Sequence, residues 1–184
     1  MPFDFGTGTA LSRGGMFRPL TNMVYLFHSA YTFNGDISAW DVSSVTDMAY
    51  MFYRAAEFDG DLTAWDVSSV TMFHNMFRRA SVFNGAISIW DVSSGTNFYL
   101  MFNSASAFNQ DLGWCLSSSV NQGDAFVGAV CVDTNCGVST EGSCPTPSPT
   151  ASPTASPTAS PLTDATIYKA VDEWIADESA ATVT

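Results

Sequence analysis

The chain has 184 residues, 46% hydrophobic and 14% aromatic, which is enough apolar side chain for a packed core and excludes a globally disordered protein. Its net charge is −12 with only six Lys or Arg, so neither nucleic acid nor an anionic membrane surface is expected as a partner, because both are held largely by basic side chains. No run of about 18 apolar residues occurs, so no segment is expected to span a bilayer.

Residues 1–22 read as a lead-in. Their opening, MPFDFGTGTALSRGG, lacks the basic and then apolar regions of a signal peptide. From 23 to 127 the sequence repeats. Phe27, Phe52, Phe77 and Phe102 are spaced by 25 residues, as are Phe33, Phe58, Phe83 and Phe108. Trp40, Trp65 and Trp90 keep the period, and so do Asp41, Asp66 and Asp91, and Thr46, Thr71 and Thr96. A unit this short encloses no core alone, so the units are expected to stack as a solenoid of about four 25-residue coils.

Within a unit, D-I-S-x-W-D-V has β-branched and aromatic residues in an extended pattern and predicts one short strand. Ser44 and Asp47 resemble a capping box, and Met48, Met51, Phe52 and Ala55 follow at helical-face spacing, predicting a short helix after each strand. Asn34-Gly35 and Asp59-Gly60 supply turn chemistry before the next strand. The expected fold class is therefore α/β, a leucine-rich-repeat-like solenoid. Copy three departs at Ala86, where the other copies carry Asp36, Asp61 and Asp111, and at Gly95, where Val45 and Val70 stand.

Two groups of side chains on this frame are candidate sites. Arg54, Arg78 and Arg79 follow the Met-Phe pair, where a predicted helix would end and its dipole would favour a cation. With Tyr50, Tyr53, His74 and Tyr99 at neighbouring variable positions, they are alternatively a candidate ligand-binding surface, since interface centres favour aromatic and Arg side chains. Asp36, Asp61, Asp41 and Asp66 recur in pairs and would stack into an acidic ladder, a weak calcium candidate set against an Asx-turn role. The two histidines, His28 and His74, stand at no motif spacing from a Ser or Cys, so no enzyme activity, catalytic residue or cofactor is expected.

Residues 128–144 read as a cap. Cys115, Cys131, Cys136 and Cys144 fall in one short stretch without Cys-x-x-Cys pairs, which favours disulfides over zinc and leaves three pairings open. Residues 145–163 repeat Ser-Pro-Thr-Ala and predict an extended Ser/Pro/Thr-rich linker, bare or O-glycosylated. Over 164–184, Ile167, Ala170, Val171, Trp174 and Ile175 share one face of a predicted amphipathic helix.

The repeat V-T-x-M-x-x-M-F-x-x-A-x-x-F-N-x-D-I-S-x-W-D-V-S-S resembles that of BspA-like leucine-rich-repeat surface proteins over residues 23 to 127. The resemblance implies a leucine-rich-repeat-like solenoid, display at the cell surface or secretion, and adhesion or protein interaction without catalytic residues. In that family a helix like 164–184 leads into an array, so the chain is expected to be a fragment holding one array, a stalk and the start of a second array; a lid folded back on the first array is the rival reading. The expected function is an extracellular or cell-surface repeat module recognising a protein or a glycan. A structural spacer or wall component is the alternative, and a calcium-binding repeat a third.

Overall fold

A computed structural model of the chain describes residues 20–140 together with Ser160–Pro161. Along the former, a row of four backbone hydrogen bonds, all in one direction, runs from each repeat to the next beside the bonds of the rims. The N–H groups of Met23, Tyr25, Phe27 and Ser29 donate to the carbonyls of Asp47, Ala49, Met51 and Tyr53 at 2.7–3.2 Å. The same four positions of the second repeat donate to the third and those of the third to the fourth. The last set runs from Phe98, Leu100, Phe102 and Ser104 to Asn121, Gly123, Ala125 and Val127. Parallel bridges mark one point on each turn of chain: Asn22 to Asp47, Asp47 to Met72, Met72 to Asn97, and Asn97 to Asn121.

This architecture corrects the α/β expectation of a leucine-rich-repeat-like solenoid with one strand and one helix per coil. Among the described residues there is no α-helix, only a 3₁₀ segment, Val132–Gly137, interrupted by left-handed Asn135 and Cys136. Strands are two residues long. They are β1 (Trp40–Asp41), β2 (Cys115–Leu116), β3 (Ser139–Thr140) and β4 (Ser160–Pro161), with β1 parallel to β4 and β2 parallel to β3. The D-I-S-x-W-D-V segment thus yields a strand in the first repeat, and the matching place in the fourth yields another, but the second and third have none.

The missing helices have a specific cause. An α-helix spends each N–H on a carbonyl four residues back in its own segment. Here Tyr50 and Arg54 both have positive φ, 58° and 59°, and the feature recurs at Tyr25 and Ser29, Asn75 and Arg79, Leu100 and Ser104, and Asp124 and Gly128. A left-handed residue at every fourth position closes consecutive tight turns, with Met51 N–H on Met48 and Ala55 N–H on Phe52. The N–H groups of Tyr50, Phe52 and Arg54 are thereby released to the next coil, at His74, Met76 and Arg78. Asp47 does not close a capping box; its Oδ1 accepts the N–H of Ala49 and shapes the turn. Arg54 and Arg79 are accordingly turn residues, not helix C-terminal cations.

Met48, Met51, Phe52 and Ala55 are buried all the same, because successive turns also bring residues three and four apart to one side. The Phe columns form two stacks through the molecule. Phe27, Phe52, Phe77, Phe102 and Phe126 lie 5.4–5.6 Å apart between ring centres, and within the second coil Phe52 meets Phe58 at 4.0 Å. Each fully buried Phe contributes roughly 1.5–3 kcal/mol over an exposed one, so these columns dominate cohesion.

Polar ladders hold the rims. Thr46, Thr71 and Thr96 donate both N–H and Oγ1–H to the carbonyl of the Thr one coil earlier. The Asn-Gly corner works differently from expectation: Asn34 Oδ1 accepts Asp59 N–H, Asp59 accepts from Asn84, and Asn84 from Asn109, tying coil to coil. Gly60 is there because the Phe58 ring lies against its Cα, where a Cβ would sit 2.8 Å from the ring.

The chain ends its stack in a disulfide between Cys131 and Cys136, and Cys115 is also disulfide-bonded. Cys144, the lead-in before residue 20, the linker apart from β4, and the helix expected over 164–184 lie outside the described residues. No helix among the described residues is long and apolar enough to cross a membrane.

Candidate functional site

The double turn that replaces the helix carries the candidate surface. Four columns of variable residues emerge from it, and the period places them: Ala49, His74 and Tyr99; Tyr25, Tyr50 and Asn75; His28, Tyr53 and Arg78; Ser29, Arg54 and Arg79. The columns set like side chains over one another. Tyr25 stacks on Tyr50 with ring centres 4.9 Å apart, and His28 stacks on Tyr53 at 4.8 Å. Tyr50 leans on Tyr53 at 5.8 Å and meets the edge of His74 at 5.2 Å, so the two stacks are one cluster.

Two cations complete it. The Arg54 guanidinium lies 5.3 Å from the centre of the Tyr53 ring and that of Arg78 lies 5.8 Å from it. A cation over an aromatic face is attracted to the ring quadrupole by about 0.5–1 kcal/mol at exposed sites and more when desolvated. Arg78 also donates through an η nitrogen to Oδ1 of Asn75, the one buried polar residue among those described, while Arg78 Nε and His74 Nδ1 are buried with no hydrogen-bond partner among the described residues. Burial, and secondarily the charge of Arg54, lowers the pKa of His28, which favours the neutral ring where it stacks.

Of the residues singled out from sequence, Tyr50, Tyr53, Arg54, His74 and Arg78 converge. Arg79 and Tyr99 do not: both are exposed on the same side, Arg79 one coil beyond Arg54 and Tyr99 one coil beyond His74, outside the ring cluster. Tyr25 and His28 belong to the cluster and were not among the sequence candidates. The period would have found them, because Tyr25 precedes Tyr50, and His28 precedes Tyr53, by 25 residues.

The acidic candidates lie elsewhere and are occupied locally. Asp36 Oδ1 accepts both N–H and Oγ–H from Ser38, Asp41 from Ser43, Asp61 from Thr63 and Asp66 from Ser68, at 2.6–3.1 Å. At two of them the bonds favour the ionised form: Ser38 lowers the pKa of Asp36, and Thr63 lowers that of Asp61 against the like charge of Asp36. Each carboxylate shapes an Asx turn. Among the described residues no group of three or more His, Cys, Asp or Glu is placed to hold a metal ion.

No curated protein and no solved structure matches the chain. The family described as "Mycoplasma protein of unknown function, DUF285" matches residues 17–136, well over half of the sequence and the whole of the stacked coils, and the chain belongs to that family.

Proposed function

We propose that the protein is a non-enzymatic recognition module at the cell surface or outside the cell, binding a protein or glycan through the Tyr25–Tyr50 and His28–Tyr53 stacks and their arginines. One observation carries this reading. Arg54, Arg78 and Arg79 are all the Lys and Arg of residues 20–140, and all three emerge from the double turn, beside the exposed aromatics of an otherwise acidic chain. Packing alone does not require this, since the same columns elsewhere hold Ser29, Asn103 and Ser104. Aromatic and arginine side chains are the residues that carry most interface energy. The similarity of the repeats to BspA-like surface proteins supports the location.

The test is binding of the chain to arrayed extracellular proteins and glycans, compared with a variant carrying Arg54→Asn and Arg78→Gln. Asn suits the left-handed position of Arg54, and Gln keeps a donor for Asn75. A loss of about tenfold or more in affinity for the captured ligand, on the scale of a hot-spot residue, is the expected result. Equal binding by the two proteins sinks the reading in favour of a structural spacer.

A further inference from the structure

The four hydrogen bonds that join successive double turns all point one way, and such a row has two unlike ends. In every junction the positions equivalent to Met23, Tyr25, Phe27 and Ser29 donate, and those one residue before them on the next coil accept. The last coil is in the same register, as left-handed Asp124 and Gly128 and the Phe102–Phe126 stack show. Its corresponding donors are the N–H groups of Gln122, Asp124, Phe126 and Gly128, and none of them is spent in a hydrogen bond among the described residues. At the opposite end, the carbonyls of Asn22, Val24, Leu26 and His28 occupy the accepting positions and take no hydrogen bond from another described residue.

A row of donors at one end thus matches a row of acceptors at the other, in number and register. Unpaired backbone edges template pairing with another chain, and a contact between unlike ends propagates head to tail. Apolar exposure marks the donor end too: Val127, Val130 and Val132, all on the last coil, are 50%, 58% and 40% exposed. The first coil already pairs with an added extended segment elsewhere on its circumference, where Trp40–Asp41 takes Ser160–Pro161 in parallel.

We infer that the donor end of one molecule docks on the acceptor end of a second copy of this chain, repeating the junction that joins its own coils and continuing the aromatic column from Phe126 to the partner's Phe27.

The test uses the full chain in sedimentation velocity over a wide concentration range. Mass rising past twice that of the single chain is expected. Two variants then block one end each. Gln122→Pro with Val130→Arg removes a donor that is spent on nothing among the described residues and adds a charge at the tail, while Val24→Arg adds bulk and charge at the head. Each alone should be monomeric with an unchanged melting temperature, and an equimolar mixture should form dimers and nothing larger, because it contains one free head and one free tail. A chain monomeric at all concentrations, self-association that survives both variants, or a mixture that stays monomeric while both variants melt as the parent does, would each overturn the inference.

Discussion

The indole N–H of Trp65 donates to the carbonyl of Ile37, 28 residues earlier, at 3.1 Å, and Trp90 repeats the bond onto Leu62 at 3.0 Å. Each Trp therefore pins its own coil to the one before it from inside the core. Trp114, where the repeat slips by one residue to place Cys115 in the Trp column, is as buried as the others, yet its Nε1 has no hydrogen-bond partner among the described residues.

The contrast predicts unequal costs for one chemical change. Trp65→Phe loses packing and a hydrogen bond worth about 0.5–1.5 kcal/mol net. Trp114→Phe loses comparable packing but also removes a buried unpaired donor, so it should be milder by about 1 kcal/mol or more. Urea unfolding of the two variants beside the parent gives the difference directly.

Gly95 stands where Val45 and Val70 occupy the other coils, and the space is already filled. A Cβ there would overlap the Phe98 ring and lie 3.0 Å from the carbonyl of Val92. Gly95→Val should destabilise by about 1–3 kcal/mol, the usual cost of overpacking. Adding Phe98→Met, the residue type of Met23 and Met48 in that column, should recover part of it. A double-mutant cycle reads the coupling; strict additivity would show that the ring is not the obstacle.

Leu100 holds φ of 57° at the position where the third coil has Asn75. A left-handed conformation costs an ordinary L-residue roughly 1–2 kcal/mol, and Asn suffers less. Leu100→Asn should therefore raise stability by about 0.5–1 kcal/mol, with a higher melting temperature as the readout. A fall of that size would mean that the partly buried leucine contributes more by packing than its backbone costs.

Acid should destabilise the fold in two separable windows. Burial and Arg54 lower the pKa of His28 in the fold, so the unfolded chain takes up that proton first, and stability begins to fall below about pH 6.5. Asp36, Asp61 and Asp91 have lowered pKa values from hydrogen bonds to Ser38, Thr63 and Ser93. Their contribution is whole above about pH 4 and is lost as pH drops through their lower folded values. His28→Gln should flatten melting temperature in the window just below about pH 6.5 while leaving the lower limb in place. An unchanged upper limb would remove His28 as its source.

The period of 25 and the identity of the buried columns were legible in the sequence, because a repeated apolar position has to be buried against its own copies whatever the backbone does. Phe52, Phe58, Trp65 and Met51 are core for that reason. The Asx role of Asp41 and Asp66 was legible too, since Asp two residues before Ser is a local signal, and part of the aromatic-arginine face followed from Arg54, Arg78, Tyr50 and Tyr53 alone. The backbone that carries them was not. Met48, Met51, Phe52 and Ala55 suit one side of a helix and one side of two consecutive turns equally well, because both bring residues three and four apart together. What decides between them is the destination of the N–H groups of Tyr50, Phe52 and Arg54, and that depends on carbonyls 24 residues away at His74, Met76 and Arg78. Local propensity weighs a helix against isolated turns. Only the stacked neighbour supplies the acceptors that offset two left-handed residues per coil, and only stacking carries Tyr25 and His28 into contact with Tyr50 and Tyr53.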